Sequence, residues 1–333
     1  MKILSLFTGC GGLDLGFEKA GFKVVWANEY DKKIWETFRV NFPHCHLDTR
    51  SITDAPSSDM PEVVGIIGGP PCQSWSEAGA GRGITDKRGQ LFFEYVRILK
   101  DKQPLFFLAE NVSGMLFGRH NEAVTNILSE FDKAGYNVKF KLLNTADFGV
   151  PQDRKRVLYI GYRKDMGIEF EFPEPLEEKI TLKDAIWDLR NSAKPAKEKN
   201  HANEKLKIPN HEYLIGGFSS MFLSRNRVRA WDGPSFTIQA GGRHAPIHPQ
   251  ANKMIYSEKD KFIFDPESPK PYRRMSVREC ARIQTFPDDF IFKYEYVADG
   301  YLMIGNAVPV NFAKVIAEKI AKDIKPFVKK LKK

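Results

Sequence analysis

The sequence predicts an α/β fold: an open, largely parallel sheet, followed by a second, smaller region of irregular pattern. Three observations predict it. From Lys2 to about Lys164, apolar runs of strand length alternate with segments of helix spacing. The early runs break off at a glycine, a cysteine or an acidic residue, where open α/β sheets hold their ligands. From Phe172 to Pro209, Pro, Asn, Lys and Ser become frequent, and regular spacing does not return until Met275.

Taken in order, Lys2–Phe7 reads as an apolar strand, Thr8–Gly12 as a turn, and Leu13–Ala20 as a helix through Leu13, Phe17 and Ala20. Lys23–Ala27 is the second strand, and Glu29 follows it, 20 residues after Gly9. An acid at that distance suits ribose hydroxyls, yet Gly9, Gly11 and Gly12 do not make GxGxxG. A turn without that spacing suits an adenosine ligand lacking phosphates better than a dinucleotide. Ile34–Asn41 is helical, and Asp48 closes a short strand around His44–Leu47.

Val63–Ile67 is a buried strand stopped abruptly by Gly68-Gly69-Pro70-Pro71, which leaves Cys72 at its carboxyl end. Free cysteine usually packs as a small apolar group. A Pro-Pro turn followed by Gln73, Ser74 and Ser76 is a poor place to bury one, and its fixed φ angles would instead aim the sulfur as a nucleophile needs. Ser74–Gly89 is a polar, glycine-rich loop carrying Arg82, Lys87 and Arg88. Leu91, Phe92, Tyr95, Ile98 and Leu99 trace one helix face, and Leu105–Ala109 is a strand ended by Glu110-Asn111-Val112. A helix over Glu122–Ala134 and strands over Val138–Leu143 and Val157–Tyr162 follow. Met275–Phe286 is helical, Gly300–Pro309 turn-rich, and Val310–Ile324 an amphipathic helix. With parallel strands, Gly9, Glu29, Cys72 and Glu110 share one crevice.

Composition narrows the classes. The chain has 333 residues, 42% hydrophobic and 12% aromatic, enough for a real core. No run approaches the roughly 18 apolar residues of a membrane span, and no secretion signal opens the chain, so a cytoplasmic protein is expected. Cys10, Cys45, Cys72 and Cys280 lie far apart without metal-ligand spacing, so neither a zinc site nor a disulfide framework is expected. A formal charge of +9 points toward a polyanion.

Together these residues resemble the C5-cytosine DNA methyltransferase family. The ordered set is Phe7-Thr8-Gly9-Cys10-Gly11-Gly12, Glu29, Pro71-Cys72-Gln73, Arg88-Gly89 with Leu91-Phe92, and Glu110-Asn111-Val112. Gln152-Asp153-Arg154-Lys155-Arg156, Arg278-Glu279-Cys280-Ala281-Arg282 and Gly305-Asn306-Ala307-Val308-Pro309 complete it. The resemblance implies a Rossmann-like S-adenosyl-L-methionine-dependent sheet, residues 1–170, with a smaller target-recognition domain, 171–274, inserted before a segment 275–333 that returns to the large domain. It further implies that Phe7, Gly9, Cys10, Gly11, Gly12, Glu29, Tyr30, Asp48, Pro71, Leu91, Asn306 and Ala307 surround the cofactor. The region of Arg225, Arg227 and Arg229, with Thr237 and Arg243, looks like that of GGCC-recognising bacterial modification enzymes.

In the implied chemistry, a Cys72 thiolate adds to C6 of cytosine and Glu110 hydrogen-bonds the N3/N4 edge. Arg156 holds O2, with Arg154 in support. The base must leave the duplex, and the Ser74–Gly89 loop would close over it with Arg82 and Arg88 on phosphates. Arginine pairs bidentately with guanine, which suits Arg225, Arg227 and Arg243 to a G·C site. Double-stranded DNA is the expected partner, a restriction endonuclease a genetic one, and a monomer the expected state. Two rivals remain, an RNA cytosine methyltransferase and an inactive DNA-binding relative; the inserted segment argues against the first and the intact Cys72, Glu110 and Arg156 against the second. A nicotinamide oxidoreductase is disfavoured by the missing GxGxxG.

Overall fold

The structure, a computed structural model, describes residues 1–71, 87–112 and 121–331. Cys72 and Arg82 lie outside the described residues, and Arg88 is described only as helical backbone. The chain divides into two compact units. The first comprises Met1–Asn144, Lys155–Pro175 and Phe312–Lys333, the second Thr145–Arg154 and Leu176–Asn311. Residues 275–311 cluster with the second unit, whereas the sequence placed them after it.

The first unit is built on a seven-stranded sheet: β1 Lys2–Leu6, β2 Lys23–Asn28, β3 His46–Asp48, β4 Gly65–Gly68, β5 Phe106–Val112, β6 Tyr136–Asn144 and β7 Lys155–Arg163. Their order is β3-β2-β1-β4-β5-β7-β6. The first five run parallel, and β7 is antiparallel to both its neighbours. The order reverses beside β1, and the crevice at such a switch point is where an open sheet holds its ligand. Strand alternation fills both faces. Leu4, Leu6, Ile66 and Phe107 pack with Phe92, Tyr95 and Leu99 of the helix Lys87–Lys102 and with Ile127 and Phe131 of the helix Asn121–Lys133. On the other face Phe106 stacks on Phe17 of the helix Gly12–Lys19, with centroids 6.2 Å apart.

Glycine is required where strands meet closely. A Cβ at Gly68 would sit 2.3 Å from the Leu6 carbonyl oxygen. The final helix, Val310–Leu331, runs further than expected, through Pro326. Its Asp323 accepts from the Tyr162 hydroxyl at 2.9 Å and pairs with Lys319 at 2.6 Å, which ties it to β7.

Three sequence expectations change. β5 extends through Glu110-Asn111-Val112, because β7 continues to pair with them after β4 has ended at Gly68 opposite Ala109. Lys87, Arg88 and Gly89 open a helix and do not end a loop. Gly300–Asn306 is helical within Val297–Asn306, where Val297, Tyr301 and Ile304 give buried i, i+4, i+7 spacing that the glycines obscured.

The second unit has little regular structure. Two-stranded pairs join Lys194–Pro195 to Glu212–Tyr213 and Ile255–Glu258 to Lys261–Ile263. A small core gathers Phe222, Val228, Ile247 and Met254. The helix Val277–Ile283 begins with a capping box between Ser276 and Glu279. Among the described residues no helix is long and apolar enough to cross a membrane.

Candidate active site

The turn after β1 departs from ordinary backbone geometry. Phe7, Gly9 and Gly11 have φ of 54°, 57° and 91°, and at Phe7 this is an uncommon conformation for a side-chain-bearing residue. The Thr8 hydroxyl donates to the Asp14 carboxylate at 2.7 Å, the Thr8 amide to Asn28 O at 3.1 Å, and the Gly11 amide to Thr8 O at 3.1 Å. Thr8 and Asp14 thus hold the turn from below. Sequence reading missed that role; the signal was an acidic residue on the apolar face of the helix, beside Leu13 and Phe17. Asp14 is fully buried, and burial pushes its carboxyl up to about 7.

Glu29, just past β2, accepts the Gly9 amide at 2.9 Å and the Asp31 amide at 2.8 Å. Burial raises its pKa, and those two amides oppose the rise. A Cβ added at Gly9 would meet nothing within 4 Å, so the turn presents bare main chain beside a carboxylate. The Tyr30 ring is 72% exposed next to it. Bare main chain, a hydroxyl-accepting carboxylate and an exposed ring fit an adenosine better than a pyrophosphate. Gly12 is buried at the start of the helix. Cys10 is buried as well, and burial pushes its thiol up, so its side chain faces the core. Leu91 is half-buried against the core cluster.

Asp48 is held by Arg50. Its Oδ1 accepts the Arg50 amide at 3.0 Å and Nε at 3.1 Å, and its Oδ2 accepts Nε at 3.1 Å and Nη2 at 2.6 Å. Those contacts hold its carboxyl below the usual range. A carboxylate offers about four acceptor positions. Three Arg50 N–H groups, the amide, Nε and Nη2, bond its two oxygens, so Asp48 helps to anchor the end of β3.

At β5 the geometry brings two expected residues together. Arg156 Nε lies 2.7 Å from Glu110 Oε1, and each side chain is 12% exposed. Register explains the pair: Val112 stands opposite Arg156 and Glu110 opposite Leu158, so the two are diagonal neighbours on one face. The turn that leads toward Cys72 packs against the same strand. A Cβ at Gly69 would lie 3.1 Å from Glu110 Oε2, and Asn111 Nδ2 donates to Pro70 O at 3.3 Å. Pro71 is exposed.

Arg154 is placed elsewhere. Its guanidinium is 1% exposed and donates to Ile238 O at 3.1 Å, Gly305 O at 2.8 Å and Ala307 O at 3.0 Å. It fastens main chain of the second unit. Asn306 and Ala307 belong to that unit too, Asn306 exposed and Ala307 buried. The expected DNA-contacting arginines divide into two kinds. Arg229 Nη2 bonds Asp153 at 2.8 Å with its guanidinium 4.1 Å from the Phe236 ring centroid. Thr237 donates to the Asp153 carbonyl. Arg227 donates to the carbonyls of Phe222 and Met221. Arg225 and Arg243 are exposed and bond no other described residue.

Comparison with known proteins identifies the family. Residues 1–322 match the family described as C-5 cytosine-specific DNA methylase. The chain is 60% identical over 325 residues to the type II methyltransferase M.MthTI of Methanothermobacter thermautotrophicus, covering 97% of this chain and 98% of that one. It is 58% identical over 329 residues to M.NgoPII of Neisseria gonorrhoeae, covering 97% and 96%. Among solved structures, a DNA modification methyltransferase encoded within an E. coli prophage superposes with a TM-score of 0.73 at 24% identity, over 98% of this chain and 99% of that one, and shows the shared fold. The chain belongs to the C-5 cytosine-specific DNA methylase family.

Proposed function

We propose that this protein methylates C5 of a cytosine flipped out of a specific duplex site, GGCC, and so protects DNA from a cognate endonuclease. The observation that carries the chemistry is the Glu110–Arg156 pair at 2.7 Å, with the turn toward Cys72 packed on the same strand. Family membership implies S-adenosyl-L-methionine, which supplies an electrophilic methyl group when bound. The Gly9–Gly12 main chain, the Glu29 carboxylate and Tyr30 fit its adenosine, with Glu29 accepting from the ribose hydroxyls.

The chain's own residues must make C5 electron-rich. The Cys72 thiolate forms a bond to C6, and the C5–C6 π pair moves toward C5. Glu110 and Arg156, held side by side, contact the N3/N4 edge and O2 and stabilise the charge that develops on the ring. Their mutual contact keeps two opposite charges oriented before the base arrives, so little reorganisation is needed. Once the C5 proton is lost, the C6–sulfur bond breaks and its electron pair returns to Cys72.

Exposed Arg225 and Arg243 support base reading, since arginine pairs bidentately with guanine O6 and N7. Arg227 retains donors for the same task, because the fork has five and two are committed. Arg229, bonded to Asp153, serves the shape of the segment. We further read the protein as a monomer in the cytoplasm. Sequencing plasmid DNA for 5-methylcytosine after expression tests the proposal: methylation confined to one cytosine of GGCC is expected, and methylation at another sequence, or only of transfer RNA, overturns it.

A further inference from the structure

A continuous column of side chains in the second unit ends on one of the arginines just described. It starts at Arg274, which is 2% exposed. Arg274 donates from Nη1 to Gly216 O at 2.9 Å and from Nη2 to Gly217 O at 2.7 Å, which fixes the main chain entering the segment 218–229. Its guanidinium carbon lies 4.0 Å from the Phe218 ring centroid. Phe218 stacks on Phe222, with centroids 5.3 Å apart and planes at 23°. The Arg227 guanidinium carbon lies 4.6 Å from the Phe222 centroid, and Arg227 Nε donates to the Phe222 carbonyl. Phe264 meets Phe218 edge-on at 5.2 Å and stacks on Tyr272 at 4.3 Å, so the rings are held from the side as well.

The column answers a physical difficulty. Arg227 carries its charge partly out of water, and burial and the neighbouring Arg225 charge both disfavour it there. No carboxylate bonds it among the described residues; the Phe222 ring face and two carbonyls do so instead. A ring face attracts a cation through its quadrupole without consuming an N–H donor. The arrangement therefore fixes the guanidinium plane while leaving one edge of the fork for a partner.

We propose that Arg274, Phe218 and Phe222 are positioning residues for Arg227, so that the chain's choice of DNA sequence depends on side chains that touch no base. This rests on the reading of Arg227 as a base contact. Arg274 sets the main chain of residues 216–217, the stacked rings transmit that placement, and the Phe222 face sets the plane of the guanidinium.

The test compares kcat/KM on GGCC duplexes and on each single-base variant at several salt concentrations, for the wild type, Phe218→Leu, Phe218→Tyr, Arg274→Gln, Arg227→Ala and the double variant Phe218→Leu/Arg227→Ala. Phe218→Leu keeps an apolar side chain at the site while removing the ring, and guards against a result due only to misfolding of Arg274→Gln. Phe218→Leu and Arg274→Gln are expected to narrow the preference for GGCC about three- to thirty-fold, the range a cation–π contact spans. The salt slope and the cofactor KM should not change, Phe218→Tyr should restore discrimination, and the double variant should discriminate no worse than Arg227→Ala alone. Uniform loss on all duplexes, or additive losses in the double variant, overturns the column while the reading of Arg227 survives. Unchanged discrimination in Arg227→Ala defeats that reading, and the column with it.

Discussion

In the first unit the main chain pairs with itself along long strands; in the second, buried arginines bond much of what short pairs leave over. β5, β6 and β7 run side by side in unbroken register from Phe106 opposite Tyr162 to Asn144 opposite Lys155. The strands of the second unit are two to four residues long, and its loops would leave many carbonyls unbonded. Three buried arginines supply the missing donors. Arg154 serves Ile238, Gly305 and Ala307; Arg274 serves Leu214, Gly216 and Gly217; Arg278 serves Pro209, Pro287 and Phe290. A guanidinium has five donors in a rigid fork, so one side chain can bond three carbonyls at once. What the contrast teaches is a division of labour. A sheet fixes the ends of its strands, which suits groups that must meet at one point, such as Glu110 and Arg156. Arginine staples hold irregular loops in a defined shape, which suits a surface that must match another surface.

The largest expected effect follows from removing a staple. Arg278→Met should cost about 3–5 kcal/mol, because several buried carbonyls lose charged donors at once. Tyr95→Phe, which removes a buried donor to Leu108 O in the sheet unit, should cost only about 0.5–1.5 kcal/mol. Urea unfolding of both variants checks this; equal costs would mean that the arginines are incidental to the second unit.

Next in size, Glu29→Ala sharpens the assignment of cofactor binding to the first unit. Loss of a charge-assisted acceptor is worth roughly 1.5–3 kcal/mol, so S-adenosyl-L-methionine should bind about 10- to 100-fold more weakly. Calorimetric titration with the cofactor measures it. Unchanged cofactor affinity with collapsed DNA affinity would reverse the division between the units.

The same contrast explains what the sequence made legible. Strand and helix periods repeat over many residues, so the alternation of elements in the first unit, the turn at Gly9 and the place of Glu29 could be read from spacing, whereas the pairing of Glu110 with Arg156 depends on the register of β5 and β7. Staples carry no period. Arg154 lies two residues from Arg156, yet it precedes β7, which begins at Lys155, and its guanidinium bonds carbonyls more than eighty residues away. The Asp48–Arg50 contact is hidden for a related reason: it depends on a turn geometry that no spacing rule encodes. The column from Arg274 to Arg227 joins residues 47 apart in sequence through rings that composition alone marks only as apolar.

The remaining comparison concerns two buried carboxyls, one in each unit. Glu279 in the second is fully buried; burial alone would raise its pKa, but Arg273 at 2.7 Å and His248 hold it well below the usual range. Asp14 in the first is equally buried and has the Thr8 hydroxyl as donor, with Ser5 also opposing the shift, so burial prevails and its pKa rises to about 7. The two therefore act on stability in opposite directions. The contribution of Glu279 is complete above its unfolded pKa near 4.5 and is lost as pH falls. For Asp14, the folded protein keeps a proton that the unfolded chain releases near 3.8, so stability falls as pH rises from about 4 toward about 7. Asp14→Asn keeps an acceptor for Thr8 and removes that titration. Relative to the wild type, it should gain at most about 1.4 kcal/mol for each pH unit across this window and stay level outside it. Unfolding free energies for both proteins from pH 4 to 8 give the difference directly. A constant difference over that range would mean that Asp14 is already ionised in the folded state, and that the first unit, like the second, supplies its buried carboxylate with enough donors to keep the charge.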